Sequence, residues 1–310
     1  MAIFLMIFAG AFVSLSNLLM RKSIDQGGTT KGFIVFQMAM AAVVALFLNP
    51  IREGDFSING PIVFLGASAG VILALMGFFL GRSLENGPPG VTFSMLSSST
   101  VVPAIIMAFF FGATYGFPYK FWHAVGSLVV LFGLFLAGRG AEGAQNKGKW
   151  ILFCTLMFSL HVALLVLFQW RALLLNLPNP EVLSQLFTAK TIQSQWFTPF
   201  MFLSACAVQT GIFLYYERRK IRFREASYGL MGGLANGTGT YFMIRSTEVA
   251  GPFENAIIFP LFSVTIIALS NLWSERLYQE KVNWRALQFC AFGLILGMVD
   301  WKTVAAFIGL

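Results

Sequence analysis

Long apolar runs recur along the whole of this 310-residue chain, and they constrain its fold more than any other feature. A helix that crosses a bilayer needs about 20 predominantly apolar residues, at a rise of about 1.5 Å per residue. Ten runs meet this need, and we number them as spans 1 to 10: residues 2–20, 33–49, 61–81, 91–113, 120–138, 150–170, 196–216, 226–244, 254–273 and 284–301. The sequence therefore predicts an all-α integral membrane protein with ten transmembrane helices.

Composition and charge agree with a membrane protein. Charged residues make up 11% of the chain, whereas a soluble domain carries about 25%. The net charge of +8 comes from basic residues in connectors and at span ends, most densely in "ERRKIRFRE" at 217–225. We expect this cluster to meet anionic lipid and not nucleic acid. All three cysteines fall inside apolar runs without pairing or ligand spacing, so no disulfide, metal or cofactor is predicted.

One charged connector occurs twice. The sequences "RSLENGPP" at 82–89 and "RSTEVAGP" at 245–252 share Arg, Ser, Glu and Pro in register. The first follows span 3 and the second follows span 8, so an odd number of spans separates them. We therefore predict two inverted five-helix repeats, a design frequent in secondary transporters. The first repeat covers 1–138, a hydrophilic linker covers 139–149, and the second repeat covers 150–310.

Motifs in the second half resemble the drug/metabolite transporter superfamily, in particular its ten-helix, EamA-like members. The residues that carry this resemblance are Pro260 in span 9, "SERL" at 274–277, and Gly293 with Gly297 in span 10. The first half contributes Pro103. The resemblance implies two five-helix repeats and transport of amino acids or related metabolites. It also implies cytoplasmic termini, whereas the excess of Lys and Arg in odd-numbered connectors predicts that both termini face outward.

Polar residues inside the spans are candidates for substrate binding. Span 8 combines a small-residue ridge with Asn236, Thr240 and Tyr241, and span 4 places Ser94 and Ser98 near Pro103. His161 stands near the middle of span 6, where an ionisable residue is costly and usually faces a cavity or a partner. Asn17 in span 1 is a weaker candidate of the same type. For each of them, plain helix packing is the alternative interpretation.

The repeated connectors supply candidate gating residues. Arg82 with Glu85, and Arg245 with Glu248, end spans 3 and 8 as i,i+3 pairs. They are either interfacial ion pairs of little energetic weight or charged pairs that line the two mouths of a pathway.

These features together predict a secondary active transporter that moves a small polar or amphipathic, amino-acid-like metabolite by alternating access. A flippase for a lipid-linked head group is the alternative. An enzyme is not expected, because two histidines without a buried carboxylate provide no nucleophile–base set. The expected partners are a small-molecule substrate and membrane lipid, with a coupling ion or proton left open, and the chain is expected as a monomer or homodimer in a bacterial inner (plasma) membrane.

Overall fold

The computed structural model describes residues 1–87, 89–138, 146–279 and 284–298, and these residues form helices joined by short connectors, without a strand. Most of the predicted linker 139–149, the end of span 10 and the side chain of Ser94 lie outside the described part. The α-helices are α1 (Ala2–Asp25), α2 (Thr30–Leu46), α3 (Gly60–Asn86), α4 (Pro89–Ser98), α5 (Val102–Phe110), α6 (Phe121–Gly138), α7 (Lys147–Asn176), α8 (Ala189–Ile192), α9 (Phe197–Tyr216), α10 (Phe223–Val249), α11 (Ile258–Tyr278) and α12 (Trp284–Met298).

Six of these helices are long and apolar enough to cross a membrane, judged by length and composition. They are α1, α2 with its π-helical extension to Ile51, α3, α7, α9 and α11. Shorter apolar helices cover Met95–Phe110, Phe121–Leu136 and Trp284–Gly297. Large apolar side chains such as Phe4, Phe64 and Phe109 are exposed, as expected of a surface that faces lipid. The described chain is thus an all-helical protein compatible with a membrane.

Span 4 is interrupted where the sequence contains hydroxyls followed by a proline. A short 3₁₀ turn at Ser99–Val101 separates α4 from α5, whose first turn contains Pro103. Proline has no N–H to give to the preceding turn. The hydroxyls of Ser99 and Thr100 donate to the carbonyls of Leu96 and Ser97, at 2.5 and 2.7 Å. The break therefore leaves polar groups in the middle of an apolar segment.

Glycine ridges allow close contacts between helices. Gly66 and Gly70 bring α3 against α9, and Gly229 and Gly233 bring α10 against α2. A Cβ at Gly70 would lie 2.0 Å from the carbonyl oxygen of Met201. Small residues at these positions let helix backbones approach and gain dispersion contacts, which drive association in lipid.

Long-range packing joins the beginning of the chain to its end. Helix α10 packs between α1 and α2, and α3 packs between α7 and α9. Helix α1 also contacts α11, α7 also contacts α4 and α5, α2 contacts α9, and α6 pairs with α12. The main apolar core lies among α1, α2, α3, α7, α9, α10 and α11. This packing places the end of α10 beside the ends of α2 and α7, where the candidate site is found.

Candidate functional site

A cavity of about 400 Å³ opens at the end of the molecule where α2, α7 and α10 terminate and α9 begins. We call it the mouth cavity. Its lining includes three of the sequence-predicted residues, Tyr241, Arg245 and Glu248, and one basic residue that was not singled out, Arg171. The acidic residues Glu53 and Asp55 line it from the α2–α3 connector. Both signs of charge are thus presented to one accessible space.

Glu248 is held between two guanidinium groups. Its Oε1 accepts from Arg171 at 2.6 Å, and its Oε2 accepts from Arg245 at 2.6 Å. Such charge-assisted hydrogen bonds are shorter and stronger than neutral ones. The side chain of Glu248 is 12% exposed and that of Arg171 is 8% exposed, whereas that of Arg245 is 50% exposed. The Arg171–Glu248 contact is consequently the buried half of the cluster.

Arg171 is incompletely satisfied although it is buried. Its guanidinium lies over the ring of Phe197, with 4.8 Å between Cζ and the ring centroid. Its Nε is buried and has no acceptor in the described part of the chain. An unsatisfied buried donor costs free energy, which the contacts with Glu248 and Phe197 have to offset.

The rim of the mouth cavity carries the opposite charge. Glu53 lies 3.6 Å from the guanidinium of its neighbour Arg52, and Arg52 also donates to the hydroxyl of Tyr241. Asp55 accepts from the hydroxyl and the backbone N–H of Ser57, and these hydrogen bonds lower the pKa of Asp55. The rim thus presents two carboxylates to the cavity, and Glu53 already has a guanidinium beside it.

The other predicted gating pair lies at the opposite end of the helices. Glu85 accepts from Arg82 at 2.9 Å and from Lys31 at 3.1 Å. The guanidinium of Arg82 lies over the ring of Tyr216, 4.8 Å from its centroid. This pair thus links the end of α3 to the start of α2 and the end of α9.

Near this pair, a buried carboxylate ties the start of α10 to the α1–α2 connector. Glu225 is 1% exposed and precedes the predicted span 226–244. Its two oxygens accept from Arg219 at 2.7 and 2.9 Å, from the N–H of Thr29 at 2.6 Å and from the N–H of Arg222 at 2.9 Å. We call Glu225 and these three donors the Glu225 latch.

The charge state of the latch follows from these contacts. Burial by itself raises the pKa of Glu225, but the hydrogen bonds from Arg219, Arg222 and Thr29 outweigh it and lower the pKa to about 2. The hydrogen bond to Glu225 raises the pKa of Arg219 in turn. The latch is therefore an ionised, fully paired contact at neutral pH.

His161 makes a polar contact inside the helix bundle. Its Nδ1 lies 2.5 Å from the hydroxyl of Ser99, and that hydroxyl donates to the carbonyl of Leu96. Which of the two atoms donates in the Ser99–His161 contact depends on the tautomer of the imidazole. The histidine is thus joined to the 3₁₀ break of span 4, through a serine that the sequence analysis did not name.

The remaining predicted residues lie deeper than the mouth cavity. The side chains of Asn236 and Asn17 are half-buried. Thr240 is 7% exposed and Ser98 is half-buried. Asn236 precedes Glu248 by twelve residues, which is about 18 Å along a helix. The predicted residues therefore occupy three places: the mouth cavity, the opposite end, and the interior between them.

Two buried charged residues that form ion pairs could not be singled out from the sequence. Arg171 lies just beyond the predicted span 150–170, and nothing in the sequence sets it apart from the other basic residues at span ends. Glu225 lies within the basic cluster 217–225, where the sequence gives no reason to distinguish it from a surface charge. The unusual feature of both is burial, which depends on distant helices.

Comparison with known proteins yields a fold likeness. No protein-family description matches the chain, and no curated protein matches it. A solved structure described only as the crystal structure of a protein is similar, with a TM-score of 0.71 at 14% sequence identity. The match covers 99% of this chain and 98% of the other. At that identity the likeness concerns the fold alone, and it extends over nearly the full length.

Proposed function

We propose that the protein is a secondary active transporter of the drug/metabolite type, with ten transmembrane helices arranged as two inverted repeats. In this arrangement α1, α2, α3, α4 with α5, and α6 form spans 1 to 5, and α7, α9, α10, α11 and α12 form spans 6 to 10. The transported molecule is a small polar or amphipathic, amino-acid-like metabolite.

The pattern of helix contacts supports the repeat. Exchanging each span for the one five places away converts the α1–α10 contact into α7–α3, and the α2–α10 contact into α9–α3. The α1–α11 contact becomes α7 with α4 and α5, while α2–α9 and α6–α12 map onto themselves. The glycine ridges obey the same exchange, because Gly66 and Gly229, like Gly70 and Gly233, have the spacing of Arg82 and Arg245. Contacts and sequence spacing thus agree on one pseudo-two-fold relation.

The transport proposal rests on a difference between the two ends of the helix bundle. One end has the mouth cavity, and the other is tied by the Glu225 latch and the Lys31–Glu85 contact. Two like halves in opposite orientation can exchange these states, so that the open end closes as the closed end opens. A solute that enters the mouth cavity would then leave on the other side of the membrane. The charge bias of the connectors makes the open end the outer one.

Transport and side exchange can be tested together in proteoliposomes. We expect counterflow of a radiolabelled amino-acid mixture, driven by an unlabelled mixture inside, to exceed that of empty liposomes. A cysteine at Gln195, which lines the mouth cavity, reports the open end when the natural cysteines are replaced by alanine. Saturating solute should change its labelling rate by a membrane-impermeant maleimide.

Controls separate this proposal from its rivals. A cysteine at Glu181, which is exposed on the same side in the α7–α9 connector, should be labelled at a rate that solute leaves unchanged. Absence of counterflow together with solute-independent labelling at position 195 would contradict the proposal. Transbilayer movement of labelled lipid without solute counterflow would favour the flippase.

A further inference from the structure

His161 lies on the inward face of α7, in the middle of the helix. On the same face, Met157, Leu164 and Phe168 are at most 4% exposed, whereas Leu152 on the opposite face is 55% exposed. His161 is only half-buried, although it occupies the centre of this buried stripe. The exposed part of its imidazole therefore faces space inside the helix bundle and not the lipid.

The polar partner of His161 lies where a helix ends. Its Nδ1 is 2.5 Å from the hydroxyl of Ser99, and that hydroxyl is 2.5 Å from the carbonyl oxygen of Leu96 in the last turn of α4. Carbonyl groups at the C-terminal end of a helix carry partial negative charge and favour a nearby cation. This point of the bundle thus suits an imidazole that has gained a proton.

No other charged side chain stands at this depth on the helices that pack against α7. Residues 60–81 of α3, 89–110 of α4 and α5, and 226–244 of α10 contain no Asp, Glu, Lys, Arg or His, and His161 is alone in 150–170 of α7. The charged residues of these elements lie at their ends, as do Arg82 and Glu85 of α3, Lys190 of α8, and Arg245 with Glu248 of α10. The nearest along α7 towards the mouth cavity is Arg171, about 15 Å away.

The contact of His161 also joins the two halves of the chain. Ser99 belongs to the proposed first repeat and His161 to the second. On its other side the same break contacts α11, since Ser263 donates to the carbonyl of Ser97 at 3.3 Å. A change at His161 therefore acts on a contact between the parts that move relative to each other when the two ends exchange states.

We propose that His161 binds and releases the proton that couples transport to a proton gradient. The proposal rests on the proposed function, because coupling requires a transporter. One proton from the aqueous phase adds to the neutral imidazole, and the same proton leaves to the other side after the ends have exchanged. Neutral imidazole has one donor and one acceptor, whereas imidazolium has two donors, so each proton transfer changes the contact with Ser99.

Proton binding can be measured without transport. The chain has two histidines, so the variant His123→Gln leaves a single imidazole whose ¹⁵N signals belong to His161. In lipid nanodiscs we expect these signals to change reversibly from imidazole to imidazolium between about pH 8 and pH 4. An imidazole that stays neutral over this whole range would overturn the proposal.

Coupling is measured in proteoliposomes with the membrane potential clamped at zero. A gradient of about one pH unit, in one of its two directions, should concentrate the radiolabelled amino-acid mixture by up to about tenfold if one proton moves per solute. His161→Gln retains a polar side chain but cannot titrate, so its steady-state ratio of inner to outer solute should fall to one. That ratio does not depend on the rate of transport, and therefore a slower variant still reports coupling.

The matched control is His123→Gln, the same substitution at the start of α6, where Nδ1 accepts from the N–H of Lys120. It should accumulate solute as the parent protein does. Accumulation in His161→Gln equal to that of the parent, or counterflow in the parent without any response to the gradient, would reject His161 as the coupling residue and keep transport. A titrating His161 in a protein that shows no counterflow would reject the transporter and keep the proton site.

Discussion

Neutralising Glu225 should release the closed end of the protein. The variant Glu225→Gln keeps the size of the side chain but replaces an ionised acceptor of five hydrogen bonds by a neutral amide. The pKa of Glu225 is about 2 in the closed end, against an ordinary value of 4.5. Each pKa unit corresponds to about 1.4 kcal/mol, so the ionised carboxylate stabilises the closed end by about 3 kcal/mol. Loss of that energy shifts a two-state equilibrium by about 100-fold.

A cysteine at Ser23 reports the shift. Ser23 is 1% exposed, and its hydroxyl has no hydrogen-bond partner in the described residues, so Ser23→Cys removes no interaction. It is also close to the latch, because a Cβ at Gly28 would lie 2.7 Å from the Ser23 hydroxyl and 2.8 Å from Cγ of Glu225. In a background without natural cysteines, Glu225→Gln should accelerate thiol labelling at position 23 by up to about 100-fold. Glu181→Gln, at the other end, serves as the matched control.

Acid should have the same effect as the substitution. A carboxylate whose pKa is depressed contributes its stabilisation fully above the ordinary pKa, and this contribution is lost as the pH falls from about 4.5 to about 2. Labelling at position 23 by a reagent that is active in acid should rise across that window, and Glu225→Gln should remove the rise. If the labelling rate at position 23 in Glu225→Gln at neutral pH stays within twofold of the rate in the parent protein, the proposed role of the Glu225 latch is refuted.

Three further predictions concern packing, the interior polar residues and orientation. Gly70→Ala should destabilise the protein by about 1–3 kcal/mol in thermal unfolding, because its Cβ would meet the backbone of α9, whereas Gly211→Ala has open space and should be neutral. His161→Ala and Asn236→Ala should each impair counterflow at normal expression, and unchanged transport in both would exclude an interior substrate path. A cysteine at Lys220 should react only from the cytoplasmic side, and labelling from outside would reverse the assigned orientation.

Helix positions could be predicted from the sequence because they depend on local apolar content. The predicted runs fall on helices, and charged residues extend several of them at the ends, as in α3, which continues to Asn86. The break in span 4 also has a local cause, since Pro103 follows a run of hydroxyl residues. Hydrophobic patterning and helix-breaking residues therefore predict most of the secondary structure.

The candidate site could be predicted only in part, because it depends on which helix ends meet. Arg245 and Glu248 were found through their repeated motif, which is visible in the sequence. Arg171 is separated from Glu248 by 77 residues, and no local pattern indicates that their side chains touch. Glu225 illustrates the same limit, since its burial requires the α1–α2 connector to lie across the start of α10.

The interleaving of the two halves has a consequence for biogenesis. The glycine face of α3 is covered by α9, which is synthesised only after the whole first half of the chain. Conversely, α1 and α2 must wait in the bilayer for α10, which contacts them from about 200 residues later in the chain. Insertion of individual helices and their final assembly are thus separate stages, as the two-stage view of membrane protein folding holds. A chain that terminates near residue 138 would consequently leave the glycine face of α3 uncovered, a surface that quality-control proteases and chaperones can recognise as unassembled.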